Sequence, residues 1–136
     1  MKGIPMKYGL FFVALLFLGS NVAKAQTVYF ARDVKPSGEM VGQNIKFYFP
    51  KGESDLKMLV KLANPVNTDT VIYKVYRLAK GEKYLDQSIK DVVKPDWYWF
   101  PEDFLIRSQG KFLVEIYRQG SDKVIATGTF TLEWTK

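Results

Sequence analysis

The chain is 136 residues long, 47% hydrophobic and 15% aromatic, with a formal charge of +6 and neither cysteine nor histidine. Without cysteine there are no disulfides, and without histidine the Ser-His-Asp arrangement, the Cys-His pair and the usual zinc sites are excluded together. Any catalysis would fall to carboxylates, lysine or tyrosine.

The first element is a segment for export. Lys2 and Lys7 precede an apolar run, Tyr8–Leu18, and Ala23-Lys24-Ala25 supplies the small-x-small pattern of a signal peptidase site. The run is about 11 residues, well short of the ~20 a membrane-spanning helix needs. Residues 1–25 are therefore expected to be a cleaved secretory signal, and its form resembles bacterial export signals. No cysteine follows it to accept a lipid anchor, and nothing after residue 26 is apolar for long enough to span a bilayer. The mature chain, 26–136, has the size of one domain and is expected in a periplasm or outside the cell. The signal's three lysines (Lys2, Lys7, Lys24) account for half of the formal charge, and the remaining charges are interspersed. A nucleic-acid-binding surface is therefore not indicated.

The mature chain repeats with period two. Strands are predicted at 45–49 (Ile45, Phe47, Phe49 inward), 56–62 (Leu56, Met58, Val60, Leu62 inward) and 70–78, which is β-branched and aromatic throughout. Further strands are predicted at 111–117 (Phe112, Val114, Ile116 inward) and 123–134 (Val124, Ala126, Gly128, Phe130, Leu132 on one face). Weaker signals lie at 27–32 and 83–89, and "SIKDVV" at 88–93 suggests at most one helical turn. Pro50-Lys51-Gly52, Asn64-Pro65, Lys80-Gly81 and Gln119-Gly120-Ser121-Asp122 mark the turns between them. The expectation is an all-β chain, a single β-sandwich of about seven or eight antiparallel strands.

The last third, "DFLIRSQGKFLVEIYRQGSDKVIATGTFTL", resembles the closing strands of immunoglobulin-like and fibronectin-type-III-like domains. Leu105 or Ile106, Gly110 and Phe112 stand where those families place an apolar residue, a glycine turn and an aromatic. The resemblance implies an immunoglobulin-like sandwich. Phe112 departs from the family's tyrosine, so the corner hydrogen bond of that motif cannot form, and the buried cysteine pair of antibody domains is missing.

The run Trp97-Tyr98-Trp99-Phe100, bracketed by Pro95 and Pro101, is the foremost candidate site. If extended, it puts Trp97 and Trp99 on one face and Tyr98 and Phe100 on the other. Exposed, such rings stack on sugars or anchor a protein interface; buried, they form a core seam. Tyr76 and Tyr117, interleaved with Lys74 and Arg118, are a second candidate surface, against which stands the ordinary role of tyrosines as cross-strand pairs. Asp91, Asp96, Glu102 and Asp103 flank the aromatic run and raise glycoside hydrolysis, but paired carboxylates need a cleft that a small sandwich scarcely offers. Asn64, Asn67 and Asp69 lack the spacing of a calcium loop. The expected protein is thus a non-enzymatic module without cofactor, metal or catalytic residues. Its expected partner is a protein, with a glycan at Trp97 and Trp99 as the alternative.

Overall fold

The computed structural model describes residues 26–52 and 54–135; the expected signal, 1–25, lies outside the described residues. These form ten strands and no helix: β1 Gln26–Ala31, β2 Asp33–Val34, β3 Met40–Val41, β4 Lys46–Pro50, β5 Ser54–Lys61, β6 Thr70–Ala79, β7 Glu82–Val92, β8 Trp99–Ile106, β9 Gly110–Arg118 and β10 Val124–Thr135. The chain is all-β, as the period-two pattern predicts, and no described helix is long and apolar enough to cross a membrane. The segment 88–93 is not a helical turn but the end of β7, paired with β6 through Val92 opposite Thr70.

Eight of the strands make one curled sheet in the order β7-β6-β9-β10-β1-β5-β8, with β4 beside β10, an arrangement compatible with a β-sandwich. β2 and β3 pair separately as a short hairpin, Asp33 opposite Val41 and Val34 opposite Met40. The hinge is β1. Gln26 and Thr27 pair in parallel with Ala126 and Thr127 of β10, after which Val28–Ala31 pair antiparallel with β5. Beyond that departure β10 takes a second parallel partner, β4, with Lys46 opposite Thr131 and Pro50 opposite Thr135. These two parallel pairings depart from the wholly antiparallel expectation. At the crossing stands Gly128, where an added Cβ would lie 2.6 Å from the Val28 carbonyl oxygen. Only a residue without a side chain lets β1 pass over β10 so closely.

Period two then fills the space between the layers. Leu56, Met58 and Val60 of β5 are fully buried, as are Val71, Tyr73 and Val75 of β6 and Phe112, Val114 and Ile116 of β9. Each such apolar side chain contributes roughly 1.5–3 kcal/mol of burial. Phe30 and Phe104 from one layer meet Phe112 and Phe130 from the other: Phe130 lies 4.7 Å from Phe30, 5.7 Å from Phe104 and 5.2 Å from Phe112 between ring centroids. The β6–β7 hairpin closes on Lys80 and Gly81, both at positive φ (54° and 76°), as a two-residue type I′ turn requires.

Three local departures have physical causes. A bulge between Val124 and Ala126 breaks the alternation of β10, so Ile125 and Ala126 are both buried. Ile45 precedes β4 and is 71% exposed, leaving Phe47 as the buried residue of that strand. Leu59 is buried on the outer face of β5, beside Gly38 of the β2–β3 hairpin and Trp99.

Candidate functional site

The aromatic run sits where β7 leaves one layer and β8 enters the other. Lys94-Pro95-Asp96-Trp97 is a turn, with the Trp97 amide donating to the Lys94 carbonyl at 2.9 Å and proline at its second position. The backbone is then bonded to the segment after β5. Asn67 N–H donates to Pro95 O at 2.9 Å, Val66 N–H to Trp97 O at 2.7 Å, and Leu62 N–H to Tyr98 O at 2.8 Å. Asn67 can turn there because it adopts positive φ, 58°. Val66 and Val93 are buried nearby. The connection is therefore held by its main chain, and its side chains are left over for other work.

Those side chains divide. Phe100 is 1% exposed and belongs to the core, whereas Trp97, Tyr98 and Trp99 are 38%, 58% and 37% exposed. The simple two-face alternation fails at Tyr98 because β8 begins only at Trp99, paired with Lys61. Trp99 packs against Gly38 of the β2–β3 hairpin, whose Cβ position would lie 3.5 Å from the ring. Two shallow depressions meet here. One, of about 330 Å³, is lined by Asp96 to Pro101; the other, of about 320 Å³, includes Ser37, Leu59 and Lys61, and both share Tyr98 and Trp99. The β2–β3 hairpin was not anticipated, although Pro36-Ser37-Gly38 carries the turn signal that could have found it.

Tyr76 and Tyr117 lie elsewhere, on the outer face of β6 and β9. There they belong to a network of charges. Tyr117 donates to Glu115 at 2.7 Å, Lys83 pairs with Glu115 at 3.2 Å, and the Lys83 and Lys74 ammonium groups stand 4.5 Å and 4.9 Å from the Tyr76 and Tyr117 ring centroids. Burial and the Glu115 bond push the Tyr117 hydroxyl well above its usual range. The structure thus does not bring this pair together with the aromatic run.

The four acids around the run do not form one cluster. Asp103 faces outward and pairs with Lys57 at 3.0 Å, while Asp96 is exposed in the turn. Glu102 is half-buried on the inward side of β8 and hydrogen-bonded to Asp91 of β7; burial first, then Asp91 and Asp103, push its carboxyl up to about 8. Two carboxyls in direct contact leave no room for the sugar that a glycosidase holds between acids ~5 Å or more apart. Asp69 accepts from the Thr70 hydroxyl at 3.1 Å, and among the described residues no cluster of three or more acids could hold a metal ion. Comparison of the sequence with models of known protein families finds no match, and neither does comparison with curated proteins.

Proposed function

We propose that this chain is an exported, non-enzymatic β-sandwich of immunoglobulin-like type that binds a macromolecular partner through Trp97, Tyr98 and Trp99. Export rests on the sequence of residues 1–25. The immunoglobulin-like assignment draws support from strand order: β1-β5-β8 opposite β6-β9-β10 matches the A-B-E and C-F-G layers of that fold, with β7 added beside β6 and β4 beside β10. The binding reading is carried by one observation. Three neighbouring aromatic side chains are more than a third exposed on a connection whose backbone is already fixed. Rigid rings on a pre-ordered backbone lose little entropy on binding, which is what an interface anchor needs. An enzymatic role finds no support in acids that are scattered, solvent-paired or in mutual contact.

Trp97→Ala and Trp99→Ala test this. With the purified protein immobilised against an envelope extract, a specific partner should be retained by the wild type and lost by both variants at unchanged thermal stability. Retention of that partner by both variants would refute the assignment of the surface. A glycan is the second reading, favoured by the bracing of the Trp99 ring against Gly38 beside Lys61 and Ser37. A glycan array distinguishes the two: tryptophan-dependent binding to one saccharide class selects the glycan, and none selects the protein partner.

A further inference from the structure

The connection that carries the exposed aromatics is closed at its root by two carboxyl groups from opposite layers. Asp91 lies directly across from Val71 in the β6–β7 pairing, and Glu102 directly across from Met58 in the β5–β8 pairing. Val71 and Met58 are fully buried, and residues opposite one another in a ladder point to the same face. Both acids therefore face the space between the layers, Asp91 from one side and Glu102 from the other, and they are hydrogen-bonded to each other. Asp91 stands one residue before the end of β7, and Glu102 three residues after the start of β8. Everything between them is the aromatic connection and its two short roots.

The surroundings are acidic or neutral except for Arg118 of β9, which lies across from Val71 on the same face and is turned to Val66 O, to which its Nε donates at 2.7 Å. From β6, Tyr73 is fully buried and its hydroxyl has no hydrogen-bond partner; burial, then the charges of Glu102 and Asp91, raise it far above its usual range. From β8, Asp103 adds a second negative charge to Glu102. From β5, Lys57 is turned to Asp103 on the outside of the sheet. A second tie, the Gln87 side-chain amide donating to Leu105 O at 2.8 Å, joins the same two strands farther along and does not titrate.

We propose that Asp91 and Glu102 form a proton-dependent clasp, which holds β7 to β8 while one proton is shared and loosens the aromatic connection when that proton is lost. The direction follows from Glu102. Its carboxyl is raised from an ordinary 4.5 to about 8 in the folded protein. Below pH 4.5 folded and unfolded chains both keep the proton, and the contribution to stability is full. Between 4.5 and about 8 the unfolded chain releases a proton that the fold retains, so stability falls as pH rises. Above about 8 the decline levels off, but the pair then carries two like charges in a half-buried space, and the clasp is open.

Tryptophan emission tests the proposal whether or not the surface binds anything, because Trp97 and Trp99 lie within the clasped connection. A Trp134→Phe background removes the third indole. On that background the emission should shift to the red between pH 6 and 9.5, half-complete at about pH 8. Glu102→Gln keeps a hydrogen-bonding side chain but has no titrating proton, so its emission should be flat over the same range. The terminal amine also titrates near 7.7–8.0, but it is present in both proteins and cancels in the comparison. Asp91→Asn, which removes one neighbouring charge, should move the midpoint to lower pH. The proposal is overturned by a flat wild-type profile, or by the same transition in Glu102→Gln. Should Glu102→Gln fail to fold, an unmoved midpoint in Asp91→Asn overturns it equally.

Discussion

Phe30, Phe104, Phe112 and Phe130 on one hand, and Trp97, Tyr98 and Trp99 on the other, are aromatic groups of similar size held in opposite ways. The phenylalanines come from four strands of both layers and are placed by strand alternation, each in ring contact with at least one other. The second group comes from one short connection and the first residue of β8: Trp97 and Tyr98 are placed by backbone hydrogen bonds from Val66 and Leu62, and Trp99 by its pairing with Lys61. In the first, removing a ring removes what holds the layers together. In the second, the main chain stays fixed whichever side chain it carries. Aromatic content alone therefore does not distinguish cohesion from recognition, whereas the means by which each ring is positioned does.

The sharpest way to break this comparison is Phe130→Ala. Phe130 contacts Phe30, Phe104 and Phe112, so its loss opens a cavity at the centre of the cluster. A destabilisation of about 3–5 kcal/mol is expected, read from the urea midpoint at unchanged slope. A loss below about 1 kcal/mol would show that the layers do not depend on this cluster.

Gly128→Ala comes next, and it attacks the same cluster from the backbone. The new methyl group would stand 2.6 Å from Val28 O and 3.0 Å from the Phe30 ring, so β1 must shift away from β10. Overpacking of this kind costs about 1–3 kcal/mol. Thermal unfolding should register it, and a neutral result would mean that β1 crosses over β10 with slack.

Much of the cohesive half was legible in the sequence. The inward sets of β5 and β9 follow from period two, and Lys80-Gly81 announces its hairpin. β6 was legible as a strand but not in which of its faces turns inward, because both faces carry apolar or aromatic residues. What stayed hidden lies around the aromatic connection. β8 reads poorly as a strand because Pro101, Glu102 and Asp103 carry turn and solvent signals in its middle. It forms because it is an edge strand, where a proline is tolerated, and because Asp91 receives the inward Glu102. That acid pair depends on β7 and β8 ending in different layers, which local sequence does not encode. The aromatic run itself was conspicuous. Its division into a buried Phe100 and three exposed neighbours depended on where β8 begins, and that is set by pairing with β5.

The smallest expected effect sharpens the comparison most. Tyr98 is 58% exposed, and its fold-determining contact is its carbonyl, which accepts from Leu62 N–H and is retained by any residue. Tyr98→Ala should therefore change stability by no more than about 0.5 kcal/mol, in the range of surface substitutions. The same change removes a ring from both depressions, so partner binding should weaken while the thermal midpoint stays in place. If Tyr98→Ala instead destabilises the protein as much as Gly128→Ala, the ring is bracing the connection. The exposed group would then belong with the phenylalanines, as cohesion that happens to face solvent, and the binding surface would have to be sought on another face.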